Sequence, residues 1–191
     1  MRRWPHRMMT LLAFLVLFSS KAPAAELGGF NFPDSVFVEG KTLVLNGVGQ
    51  RLYSFLRVPI YVAGLYLQHP STDAKAILNS SQVKLLAIKF QHTVSAEDAR
   101  TAWRNGFDNN CTAPCHLDPD TLARFLAAVP AIRAGDVYTF VFTPDGARVY
   151  VDQRPMGVIP RPQFAQAILA TFLGPRPASV PLKAALLRGH A

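Results

Sequence analysis

The chain has 191 residues, half of them hydrophobic, and a formal net charge of +8 at pH 7. The first 24 residues hold four basic and no acidic side chains, so the rest of the chain carries only +4. The remaining basic residues are scattered, without the Lys/Arg runs or basic-aromatic alternation typical of nucleic-acid-binding surfaces. Removing 24 of the 191 residues leaves 167, a length that suits a single domain with one sizeable core.

The N-terminus has the features of a secretory signal peptide. Three arginines within the first seven residues precede the apolar stretch Met8–Phe18, and Ala22-Pro23-Ala24 provides a small-x-small cleavage pattern. We therefore expect a signal peptide over residues 1–24, a mature chain that begins at Ala25 or Glu26, and a periplasmic location. An uncleaved N-terminal anchor is the alternative. No second long apolar segment follows, so no membrane span is expected after cleavage.

The mature chain alternates between strand and helix signals in an order that predicts an α+β domain over residues 25–191. Short alternating runs bounded by turn residues indicate strands, and apolar residues at helical spacing after capping residues indicate helices. Strands are predicted at 34–38, 42–48, 83–93, 136–143, 147–151 and 156–159, with a long apolar hairpin over 43–67, and helices at 73–78, 95–110, 118–129, 162–173 and 180–188. This order favours an antiparallel sheet with helices layered mainly on one face.

The long apolar hairpin contains the leading candidate for a binding site. It is too long for one strand, and we predict a bend near residues 54–57. A bend centred on Leu56 places Arg51 directly opposite Tyr61, with their Cβ atoms about 5 Å apart. A guanidinium beside a phenol hydroxyl could hold an anion. The alternative is that Arg51 reaches solvent from an edge strand and Tyr61 fills the core.

The two cysteines are Cys111 and Cys115, which directly precede His116. Export would place them in an oxidising compartment, so a short-loop disulfide is the leading interpretation. The alternative, a haem attachment, has irregular spacing for that motif, and the remaining histidines show no metal-ligand spacing. We predict no metal and no cofactor.

The sequence has no catalytic triad with motif context, no paired-acid site and no phosphate-binding loop. Gly47 and Gly49, in NGVGQ, match only half of a nucleotide-binding motif. They are better explained by a strand bulge or by close packing against another element.

Five segments of the chain resemble bacterial exported proteins of the chalcone isomerase-like family. The likeness covers roughly Phe30–Leu187, and its most specific parts are YVAGLYL and the closing LGxxP…LKxALL. The matching segments are VLNGVGQR, IYVAGLYL, VSAEDARTAWRNGF, GDVYTFVFTPDG and TFLGPRPASVPLKAALL. The resemblance implies an open-faced β-sandwich, in which a large antiparallel sheet is overlaid by helices with a ligand cleft between them.

The resemblance also implies roles for four residues. In the plant isomerases an arginine steers a phenolate, and Arg51 matches its position, while Tyr61 occupies the place of a threonine that helps polarise the ketone. In the plant enzymes a helix tyrosine and a helix asparagine contribute hydroxyl and amide contacts; Trp103 stands near the tyrosine position, and Asn110 resembles the asparagine. Indole donates hydrogen bonds but cannot accept them, so Trp103 argues against the isomerase reaction. In the non-catalytic relatives that bind fatty acids, an arginine and a tyrosine hold the carboxylate, as Arg51 and Tyr61 would here.

The leading functional hypothesis is therefore a periplasmic, non-catalytic binder of a small amphipathic anion, such as a fatty acid or an aromatic acid. Arg51 and Tyr61 would hold the acid, and an apolar wall would be supplied by Phe55, Phe90, Trp103 and Phe107. Two alternatives stay open. One is an intramolecular lyase in which Arg51 stabilises an oxyanion. The other is a non-enzymatic interaction protein whose cleft is filled by its own side chains. The sequence assigns neither the ligand nor the oligomeric state.

Overall fold

The computed structural model describes residues 25–53, 56–111 and 115–189. The predicted signal peptide and the predicted wall residue Phe55 lie outside these ranges. Within them, no helix combines the length and the apolar character that crossing a bilayer requires.

The described chain folds into a seven-stranded antiparallel sheet, a two-stranded ribbon and five helices. The sheet has the order β3-β4-β5-β6-β7-β8-β9, so each strand pairs with its neighbours in sequence, and β1 pairs with β2 in the ribbon. The strands are β1 Ala25–Leu27, β2 Phe30–Phe32, β3 Ser35–Val38, β4 Lys41–Tyr53, β5 Val58–Leu67, β6 Lys84–Phe90, β7 Val137–Thr143, β8 Gly146–Val151 and β9 Arg154–Ile159. The helices are α1 Ala74–Asn79, α2 Ala96–Asn110, α3 Pro119–Ala128, α4 Pro162–Leu173 and α5 Val180–Leu186.

The two faces of the sheet bury different partners. Alternate residues of β5, β6 and β7 form the main core with the helices, with α4 contributing the most continuous apolar surface. The opposite face packs against the β1–β2 ribbon, where Phe32 is 1% exposed and lies over Gly64. The predicted α+β architecture with helices on one face is confirmed. The ribbon was not predicted from the sequence.

Gly47 and Gly49 allow α5 to lie directly on β4. A Cβ atom at Gly47 would overlap the backbone carbonyl oxygen of Ala185, and one at Gly49 would lie 2.7 Å from the Ala185 Cβ. The register of β4 against β5 shifts between Leu45 and Gly47. Both predicted explanations, a strand bulge and close packing, are therefore confirmed.

The strand predicted over residues 83–93 is shorter than expected. β6 ends at Phe90, and Val94 instead forms an isolated bridge with Ile132. The chain bends at Gln91 and His92, whose backbone N–H groups both donate to the carbonyl oxygen of Ile60. α2 begins soon afterwards, and the Ser95 side chain accepts a hydrogen bond from the Asp98 backbone N–H at the helix N-cap. α2 packs on the sheet, where its Trp103 ring contacts Phe140 of β7.

Candidate ligand-binding site

Arg51 and Tyr61 lie directly opposite each other on β4 and β5, as the sequence predicted. The Arg51 Cζ atom is 5.7 Å from the centroid of the Tyr61 ring, within the range of a cation–π contact. Tyr61 is only 5% exposed, and it belongs to the main core on the helix side of the sheet. The predicted juxtaposition is confirmed, and its role in ligand binding stays a prediction.

The positive charge of Arg51 is not neutralised by a carboxylate among the described residues, so the pair can attract an anion. Burial raises the pKa of the Tyr61 hydroxyl, and the charge of Arg51 and its hydrogen bond oppose that rise. Among the described residues the one ion pair joins Arg148 to Glu39, so Arg51 has no carboxylate partner there. The Arg51 guanidinium is half-buried and its neighbour is neutral, so it keeps N–H groups that can donate hydrogen bonds to a carboxylate.

A row of aromatic rings continues from Tyr61 across the helix face of the sheet. The Tyr61 and Phe90 ring centroids are 5.3 Å apart, and those of Phe90 and Tyr138 are 5.5 Å apart, both in edge-to-face geometry. Phe90 and Tyr138 line a cavity, whereas Arg51 and Tyr61 do not. The Phe90 ring therefore stands between the predicted anion clamp and the cavity.

The cavity has a volume of about 480 Å³ and lies between strands β6–β9 and helices α2–α4. This volume falls within the range of small-molecule sites, and most of the lining is aliphatic or aromatic. Its walls are formed by Ile88, Phe90, Trp103, Thr121, Arg124, Phe125, Ala128, Val129, Pro130, Ile132, Tyr138, Phe140, Val149, Met156, Gly157, Val158, Ile159, Pro160, Arg161 and Phe164. The large apolar lining can take up the hydrophobic part of a ligand.

Trp103 lies at the centre of the aromatic packing behind this cavity. Its ring contacts Phe125 at 5.4 Å, Phe140 at 5.8 Å and Phe172 at 6.0 Å between centroids. It also stacks on Phe107 at 5.8 Å. Of the four ligand-binding residues predicted from the sequence, Trp103 alone lines the cavity, where it is a wall residue.

Asn110 connects α2 to the segment that follows α4. Its side-chain nitrogen donates to the carbonyl oxygens of Gly106 at 2.9 Å and Arg176 at 2.8 Å, and its oxygen accepts from the Arg176 backbone N–H at 3.0 Å. Both amide hydrogens are thus used within the protein. Asn110 lies outside the cavity lining, so the geometry gives it a structural role, and its ligand contact stays a prediction.

Cys111 and Cys115 form a disulfide with a Cα–Cα distance of 5.0 Å, which confirms the predicted pairing. Cys111 is the C-cap of α2, so the disulfide closes the loop directly after that helix. The described part of the chain contains no group of three or more His, Cys, Asp or Glu residues that could hold a metal ion.

Two cavity residues that sequence reasoning missed are cationic. Arg124 lies on α3, and Arg161 is the N-cap residue of α4. A signal for the first was present, because the cavity-lining residues of α3 (Thr121, Arg124, Phe125 and Ala128) follow helical spacing and so share one face. An arginine within such a stripe indicates a polar contact at a largely apolar wall. Arg161 had no comparable signal.

Comparisons with known proteins agree with this architecture. The profile of the family described as chalcone isomerase-like matches residues 24–188. Among solved structures, the crystal structure of an Arabidopsis thaliana fatty-acid binding protein, AtFAP1, is similar with a TM-score of 0.68 and 15% sequence identity. The similarity covers 83% of this chain and 92% of that protein, and at this identity it shows the fold alone. A search of curated protein sequences finds no significant match.

Proposed function

The chain belongs to the chalcone isomerase-like family, and from this membership and the cavity we propose that it is an exported, non-catalytic binder of a small amphipathic anion. A fatty acid or an aromatic acid has the required chemistry. The observation that carries the proposal is the cavity of about 480 Å³ with a mainly apolar wall beside cationic side chains. The neighbouring Arabidopsis structure, described as a fatty-acid binding protein, supports the same ligand class.

The two alternative functions have less support. An interaction protein with a filled cleft would lack a ligand-sized space, and the cavity between α2–α4 and the sheet is such a space. A lyase of the isomerase type would need a hydroxyl that relays a proton, and the indole of Trp103 cannot accept one. Burial raises the pKa of Tyr61, so that hydroxyl stays protonated at neutral pH and is not a base. Absence of hydroxychalcone cyclisation is the expected result of a direct assay.

For the acid end of the ligand, the sequence supplies Arg51 with Tyr61 as one candidate clamp. Their direct pairing and the lack of a carboxylate partner for Arg51 within the described residues support this assignment. A ligand that reached from this clamp into the cavity would have to displace the ring of Phe90, which contacts both Tyr61 and Tyr138. The clamp therefore requires a side-chain movement at Phe90.

Native mass spectrometry of the protein purified after export tests the binding proposal. We expect a bound acid that denaturing extraction releases, or saturable binding of added dodecanoic acid. An Arg51→Met variant tests the clamp, with Arg57→Met as the matched control, because Arg57 is an exposed arginine of the same hairpin. A protein that is free of ligand and binds no dodecanoic acid would contradict the proposed function. Equal affinities of Arg51→Met and Arg57→Met would remove the clamp and leave binding in the cavity intact.

A further inference from the structure

We infer that Arg124 and Arg161 form a cationic rim at the mouth of the cavity and bind the carboxylate of a ligand whose apolar part lies inside. The inference rests on the proposed function, because it takes the cavity as the binding site. It deepens that function by assigning the acid end to the rim in place of the Arg51–Tyr61 pair.

The first support is position. Both arginines line the cavity and both are exposed, so their guanidinium groups lie where the cavity meets solvent. One Arg124 nitrogen, Nη2, donates to the Thr121 hydroxyl at 3.2 Å, which leaves most of its five N–H groups available. Two guanidinium groups from different elements can hold one carboxylate through charge-assisted hydrogen bonds.

The second support is the charge balance of the rim. Within the described ranges, the carboxylate that interacts with both arginines is that of Asp118, the N-cap of α3. Asp118 accepts hydrogen bonds from the Thr121 hydroxyl and from its backbone N–H, and these bonds, followed by the charges of Arg161 and Arg124, lower its pKa. One carboxylate engaged in capping faces two guanidinium groups. These three side chains together carry a charge of +1, which a ligand with a single acid group would neutralise.

The third support is access. The lining of the cavity includes both rim arginines, but it excludes Arg51 and Tyr61, which lie behind the Phe90 ring. A ligand in the cavity can therefore place its acid group at the rim without moving any aromatic ring. Met156 also lines the cavity, and it is 52% exposed. An opening with both apolar and cationic side chains suits a ligand that is itself amphipathic.

A comparison of dodecanoic acid with 1-dodecanol tests the rim, because the two probes share a chain and differ in charge. Isothermal titration calorimetry is performed on the wild type and on the double variant R124Q/R161Q. The wild type is expected to bind the acid more tightly than the alcohol, and to lose affinity for the acid as salt is added. The double variant should bind the acid about tenfold more weakly or worse, with unchanged affinity for the alcohol and little salt dependence.

Two further variants complete the design. R104Q/R188Q removes the same charge from two exposed arginines outside the cavity and should behave as the wild type. R124K/R161K keeps the charge and should recover part of the affinity for the acid. Thermal unfolding of each variant confirms that the fold is intact.

The outcomes separate the inference from the function on which it rests. Unchanged affinity of R124Q/R161Q for the acid would overturn carboxylate binding by the rim arginines. A loss of affinity confined to Arg51→Met would assign the carboxylate to the Arg51–Tyr61 clamp instead. An equal loss for the acid and the alcohol also overturns it, because the arginines would then affect the cavity and not the charge. Failure of the wild type to bind either probe contradicts the proposed function itself.

Discussion

Gly157 offers a way to fill the cavity without disturbing the fold. It lies on β9 opposite Val149 of β8, and both residues line the cavity. Directly opposed residues of an antiparallel pair face the same side of the sheet, so a side chain at Gly157 would point toward the helices. A Cβ atom placed there meets no heavy atom within 4 Å. The substitution Gly157→Phe should therefore place a ring in open cavity space.

The expected effects on stability and binding have opposite signs. Replacing a glycine within a strand stabilises the fold by about 0.5–1 kcal/mol. Partial burial of a phenyl ring against the apolar wall contributes on the order of 1 kcal/mol more, below the ~1.5–3 kcal/mol of full burial. Together these terms, about 1.5–2 kcal/mol, raise Tm by about 3–8 °C for a chain of this size. Binding of dodecanoic acid should fall by about tenfold or more, because the ring occupies the space that its chain needs.

Calorimetric titration and thermal unfolding, performed on the same preparations, give both quantities. Gly157→Ala is the matched control, since it gains the strand term of about 0.5–1 kcal/mol and leaves the cavity open. Unchanged binding by a folded Gly157→Phe protein would refute the placement of the ligand in this cavity. A large drop in Tm would refute the claim that the space above Gly157 is open.

Two other predictions concern stability. Asn110→Ala removes the hydrogen bonds to Gly106 and Arg176. It should lower the free energy of unfolding by about 1–3 kcal/mol in urea titrations and leave dodecanoic acid binding intact. Loss of binding in a variant of normal stability would contradict this structural role. Burial lowers the pKa of Lys84 to about 8. Between pH 8 and 10 the unfolded chain therefore holds more protons than the folded protein. The free energy of unfolding should rise with pH over this range by up to about 2 kcal/mol. Lys84→Met should remove that rise, and an equal rise in both proteins would contradict the assignment. Above about pH 10 the raised pKa values of Tyr61 and Tyr66 make stability fall as the pH rises.

The pairing of Arg51 with Tyr61 could be predicted because it depends on one continuous stretch of chain. The length of the apolar run required a bend, and the position of the bend fixed the register between the two arms. The structure has the same pair, although a second register shift follows it between Arg51 and Leu52. The disulfide was predictable for the same reason, since Cys111 and Cys115 are separated by only four positions.

The cavity could not be predicted in this way, because a void is defined by side chains that are absent or turned aside. Its wall combines seven elements, and the room above β9 depends on Gly157, which a sequence reading takes for an ordinary strand glycine. The predicted wall residues Phe90 and Trp103 do line it, while Phe107 packs behind Trp103 in the core. Local pattern thus identified which residues are apolar, and the packing of α3 against the sheet decided where they leave space.

The two rim arginines differ in how far the sequence alone could identify them. Arg124 could be recognised as a cation within a lining stripe of α3, because helical spacing places it beside Phe125 and Ala128. Arg161 lies 37 positions later, at the N-cap of α4, where its side chain makes no capping hydrogen bond and lines the cavity instead. Its meeting with Arg124 depends on how α3 and α4 pack over the same strands. Site residues that are brought together only by tertiary packing require the structure, and Arg161 is such a residue because no local pattern in the sequence sets it apart.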